Sequence, residues 1–111
     1  MTMNYKVKLT KQATQQLQNT IEYISKILQE PEAAKRWSER IKKGILSLDQ
    51  MPLRFPLVEE KPWRTEGIHK MAVENFTVYY WVNEPSATVW VIAVIYSRRD
   101  QIAALYDMPR E

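Results

Sequence analysis

Five residues in the second half of the chain are of types that do acid–base or anion chemistry: His69, Lys70, Tyr96, Arg98 and Arg99. His69 is the only histidine, and a free imidazole titrates near ~6.5, a value suited to general acid–base work. The plainer role for it is a strand histidine that faces solvent or lies half buried. Arg98 and Arg99 stand beside Asp100, just where a long apolar run stops. Such a pair can hold an anion or a target protein, or can form a surface pair while Asp100 caps a following helix. A phenol at Tyr96 can stack a base or donate a proton, although tyrosine at a strand end usually just packs. His69, Lys70, Arg98 and Arg99 together offer one small cationic point, enough for one phosphate or one acidic partner. There is no cysteine, and the histidine has no companions at ligand spacing, so neither a metal site nor a cofactor is expected.

Two further features bear on partners. Lys35, Arg36, Arg40, Lys42 and Lys43 make one predicted helix basic. Such a run is ordinarily a solvated face, and otherwise attracts an acidic protein or a phosphate backbone. Among the tryptophans, Trp37, Trp81 and Trp90 fit a core. Trp63 sits in a proline-rich stretch and is the candidate anchor for a partner.

The elements that must position these residues follow from periodicity. Tyr5, Val7 and Leu9 alternate with lysines, which predicts a short strand with one wet face. Thr10 stands where an N-cap belongs. Leu17, Ile21, Ile24 and Leu28, widened by Ala13, Thr20 and Ile27, form a helical stripe that ends near Gln29-Glu30. Pro31 suits the first turn of a second helix, with Trp37, Ile41, Ile45 and Leu48 as its stripe; Gly44 inside it points to a close helix contact. From Leu53 to Glu66, prolines and mixed charge predict a long irregular loop. Three strand-like runs follow, Ile68–Val73, Phe76–Val82 and Thr88–Tyr96, separated by short polar breaks as in antiparallel hairpins. The last is apolar on both faces, with Val89, Val91, Ala93 and Ile95 on one and Trp90, Ile92 and Val94 on the other, so it belongs in the sheet centre. Gln101–Tyr106 has room for one or two helical turns.

The predicted order is β-α-α-β-β-β-(α), an α+β fold in which the helical hairpin must pack on the sheet. The 111 residues suit one domain, 1–111. No apolar run reaches the ~20 residues of a membrane-spanning helix, and the N-terminus has no signal-peptide core, so a cytoplasmic protein without membrane contact is expected. Residues 1–51 carry nine Lys/Arg against five Asp/Glu, and residues 52–111 seven against eight. The excess base lies in the helical half, so any phosphate site on the sheet must be local.

The order of elements, together with PEAAKRW at the entry to helix two, LDQMPLRFP at its exit, GIHKMAVENFTVYYWV and VWVIAVIYSRRD, resembles the RelE/ParE superfamily. These are toxins of type II toxin–antitoxin systems, often labelled plasmid stabilisation proteins. The resemblance implies an α+β fold with a helical hairpin packed on a curved antiparallel sheet, and a growth inhibitor neutralised by a cognate antitoxin, whose extended or helical segment folds as it wraps the toxin. It also implies one of two targets: mRNA in the ribosomal A site for RelE-like members, DNA gyrase for ParE-like members. An mRNA interferase without metal needs a base, cations and an acid within reach of one phosphate; the matching positions here hold His69, Lys70, Tyr96, Arg98 and Arg99. His69 stands where relatives often have Arg, and Tyr96 where many have His or Lys. These departures, and a helix-two entry and exit more like the ParE side, tilt the expectation towards a non-catalytic gyrase poison. A ribosome-dependent nuclease and an inactive, antitoxin-binding remnant are the alternatives.

Overall fold

The computed structural model describes residues 4–27 and 29–96. The chain forms strand β1 (Lys6–Leu9), helices α1 (Lys11–Glu22) and α2 (Pro31–Leu46), and strands β2 (His69–Val73), β3 (Phe76–Asn83) and β4 (Thr88–Tyr96). The Thr10 hydroxyl accepts the Ala13 amide at 3.1 Å and starts α1, a cap that contributes about 1 kcal/mol. Pro31 opens α2 with Glu32 in its first turn, where a carboxylate complements the helix dipole.

The end of α1 departs from simple helical phase. Tyr23–Ile27 form a π-helical turn, and Gln29 adopts φ 54°. A wider turn rotates the side chains that follow it. Ile24 therefore remains in the core while Ile27, expected on the buried stripe, faces solvent.

The sheet order is β1-β4-β3-β2. The three later strands form the expected antiparallel meander, but β1 runs parallel to β4, with Lys6 opposite Thr88 and Leu9 opposite Val91. The sheet is thus mixed. Parallel neighbours need a long crossover, and here the helical hairpin and the first two meander strands supply it. β4 lies inside the sheet, as its apolar run predicts.

Its faces do not alternate strictly. Tyr79 opposes Ala93 while Tyr80 opposes Val91, so Ile92 is an extra residue in a bulge. An extra residue flips every side chain beyond it. Val89 and Val91 join the helix-side core with Val94 and Tyr96. Ile92, Ala93 and Ile95 join a second core on the opposite face. Val94 donates its N–H to Gln16 Oε1 of α1 at 3.0 Å, so a helix side chain covers the edge that β1 is too short to reach.

The proline-rich stretch is not a free loop. Ser47–Asp49 and Pro52–Arg54 form 3-10 turns. The chain then runs beside β2: Val58 N–H donates to Ile68 O at 2.8 Å, and Lys70 N–H to Pro56 O at 2.9 Å. Val58 and Trp63 cap the second core with Ile68 and Tyr79. The sheet is therefore covered by helices on one face and by this segment on part of the other. Gly44 does sit at a close contact, but with the sheet: a Cβ there would lie 3.0 Å from Val73 Cγ2.

Candidate functional site

The period of two in a strand decides where the candidate residues point. His69, Met71 and Val73 take the helix side of β2, with Met71 in the helix-side core and Val73 packed on it. Lys70 and Ala72 face the other way and line a cleft with Phe55, Pro56, Thr77 and Tyr79. His69 and Lys70, adjacent in sequence, thus lie on opposite faces and form no shared cationic point.

His69 is 9% exposed. Its Nδ1 lies 2.8 Å from Phe55 O; a carbonyl only accepts, so Nδ1 carries the proton in this bond. The ring stacks on Tyr80 at 5.2 Å between centroids and 14° between planes. Tyr80 in turn donates its hydroxyl to Pro52 O. Burial pushes the Tyr80 phenol up to about 12, against the opposing pull of the Arg54 guanidinium. His69 and Tyr80 together pin the segment after α2 to the sheet.

Tyr96 is 8% exposed and packs against Phe76 (5.3 Å between centroids) and Trp37 (6.4 Å). Strand register separates it from His69. His69 opposes Tyr80, and Tyr96 opposes Phe76. Four residues along β3 correspond to ~14 Å, and the two strands stand on either side of β3, so the rings lie on the order of 17 Å apart. Two groups at that distance cannot serve one phosphate. Arg98 and Arg99 lie outside the described residues, as do Asp100 and the expected terminal helix.

The partner candidates divide as well. Lys35 and Arg36 are exposed on α2, as expected of a solvated face. Arg40 is exposed too, and its Nη1 pairs with Glu74 Oε1 in the β2–β3 turn, where Glu74 adopts φ 55°. Trp63, expected as an exposed anchor, is 2% exposed and belongs to the second core. The reason is the docking of its loop along β2, which sequence periodicity does not signal.

Two concavities emerge that the sequence did not single out. One, of about 720 Å³, runs between α1 and α2 and is lined by Leu9, Leu17, Ile21, Ile45 and Leu46, with Lys26 and Lys42 at its edge. Leu46 is 64% exposed, and this hint was available: it lies next to Ile45, off the stripe that faces the sheet. The other, of about 610 Å³, is the cleft beside Lys70. There burial, and secondarily the charge of Glu60, hold the Tyr79 phenol up at about 12. Among the described residues there is no cluster of three potential metal ligands and no helix long and apolar enough to cross a membrane.

Comparison with known proteins places this geometry. The model of the ParE toxin of the type II toxin–antitoxin system parDE matches residues 7–101. The chain is similar to a structure of the chromosomal ParDE TA system from P. aeruginosa, with TM-score 0.68 and 16% identity over 85% of this chain and 97% of that one. It is also similar to the toxin–antitoxin complex RelBE2 from Mycobacterium tuberculosis, with TM-score 0.60 and 16% identity over 85% of this chain and 92% of that one. A search of curated proteins found no match. At these identities the two structures speak for the fold alone.

Proposed function

The chain belongs to the family of ParE toxins of type II toxin–antitoxin systems, and from that premise we propose that it inhibits growth by poisoning a protein target, DNA gyrase, without cutting nucleic acid. The observation that carries this reading is the separation of His69 from Tyr96. A metal-free nuclease needs base, acid and cations around one phosphate. Here the imidazole is committed to Phe55 O, the phenol is committed to an aromatic cluster, and strand register holds them apart. Lys70 faces the opposite side of the sheet from both.

The antitoxin is the second half of the reading. The groove between α1 and α2 is apolar along its floor and carries Lys42 at its edge, with Lys35, Arg36 and Lys43 exposed elsewhere on α2. That combination suits an amphipathic antitoxin helix whose apolar side fills the groove and whose polar side is acidic.

The test runs two reactions on the purified chain. With gyrase and relaxed plasmid, supercoiling falls and cleaved DNA accumulates. With translating ribosomes, mRNA stays intact. Codon-spaced mRNA cuts that vanish in Arg98→Ala or Arg99→Ala would establish the ribonuclease instead. Harmless expression without the antitoxin would sink both and leave an inactive, antitoxin-binding protein.

A further inference from the structure

On the face of the sheet away from the helices, register builds one row across three strands. Lys8 of β1 opposes Trp90 of β4, and Trp90 opposes Trp81 of β3. Lys6 and Thr88 form the next row of the same face, with Asn83 beyond them. Both lysines are exposed, and both tryptophans are half-buried against the second core. The Lys8 ammonium lies over the Trp90 ring, 5.6 Å from its centroid. The outer side of this indole therefore meets the ammonium of an exposed lysine. No carboxylate belongs to either row; Glu84, at the hairpin tip after Asn83, is the next acid along β3.

We infer that this strip, Lys6, Lys8 and Trp90, binds single-stranded nucleic acid, with a base stacked on the Trp90 indole and phosphates met by the two lysines. Sequence-tolerant single-strand binders combine these parts: aromatic platforms that accept the π-face of any base, beside cations that track the backbone. Lys6 and Lys8 are two residues apart on one strand, ~6.6 Å along it, so each can meet a different phosphate of an extended strand. A solvated cation over a half-buried ring is held weakly, less strongly than a stacked base. A base can thus displace Lys8 from Trp90 and free its ammonium for the phosphate. An acidic protein segment would meet the same lysines, but tight protein contacts seat their anchors in pockets. Neither the groove between the helices nor the cleft beside Lys70 includes any residue of the strip. The inference stands apart from the gyrase reading, since nucleic acid can be held here whether or not gyrase is the target.

The experiment is fluorescence anisotropy of labelled dT15 and U15 titrated with the full chain at low salt. Binding is expected to weaken about 10-fold in Lys6→Gln/Lys8→Gln, and about 10-fold in Trp90→Leu. Trp90→Phe should retain most of the affinity, and Lys42→Gln/Lys43→Gln all of it. Two phosphate contacts on a single strand predict a log–log salt slope of about −1.4. Thermal melts check that Trp90→Leu is folded, and the exposed lysine pair tests the strip even if it is not. The inference is overturned by absence of binding, by loss of binding in the Lys42/Lys43 variant, or by an unchanged affinity in the Lys6/Lys8 variant. Equal competition by a polyglutamate peptide would also overturn it, by making the strip an acidic-protein contact. A preference for U15 over dT15, or the reverse, leaves it standing and identifies the nucleic acid.

Discussion

Replacing His69 with alanine separates a structural from a chemical role. The change removes the hydrogen bond to Phe55 O and leaves a part-buried carbonyl without its partner, at a cost of about 1–3 kcal/mol. It also removes the stack on Tyr80, with a further contribution on the order of 1 kcal/mol. The sum is roughly 2–4 kcal/mol. Unfolding a chain of 111 residues carries an entropy of about 0.23 kcal/mol/K, so Tm should fall by about 9–17 °C. The assay pairs circular-dichroism melts with gyrase inhibition at 20 °C, normalised to folded protein. The expected result is a large loss of Tm with specific inhibition retained. A Tm within ~2 °C of the parent, together with complete loss of inhibition, would refute the structural role and return His69 to the chemistry.

Three other outcomes follow from the structure. Gln16→Leu strips Val94 N–H of its acceptor and should cost about 1–3 kcal/mol, read as a lower Tm and as faster hydrogen exchange of the Val94 amide; unchanged exchange would count against the helix-to-edge bond. Leu46→Asp, at an exposed position on the groove, should leave Tm unchanged and weaken the antitoxin complex at least ~30-fold, measured by calorimetry; full affinity would place the antitoxin elsewhere. Tyr79 and Tyr80 both titrate near 12 when folded against about 10 unfolded. Their raised folded values contribute stability that is fully present below pH 10 and is lost as pH climbs from 10 to 12. That loss is roughly 2–3 kcal/mol for each phenol, so denaturant midpoints should drop across that window, and less in Tyr79→Phe.

What was legible in the residues has a local cause. Thr10 before a helical stripe, Pro31 at a helix start and the two polar hairpin breaks act through their own backbone geometry, and the described elements begin and end where these signals stand. The central position of β4 follows from an apolar run too long to leave a wet face. The family, too, is carried by the order of these elements and the segments that join them.

Tertiary structure decided the rest, because the deciding partners are distant in the chain. The bulge at Ile92 depends on how β3 registers against β4, and one extra residue moved Val94 and Ile95 to faces that strict alternation does not assign them. β1 runs parallel to β4 because a crossover of the whole helical hairpin intervenes. Trp63 is buried because its loop hydrogen-bonds along β2. His69 and Lys70 look like one cationic point when written side by side, but a strand turns neighbours to opposite faces, and the partners of those faces lie 14 residues back at Phe55 and across the sheet. Residue types determined which chemistry was conceivable for this toxin; only the register of four strands decided which of those residues can meet.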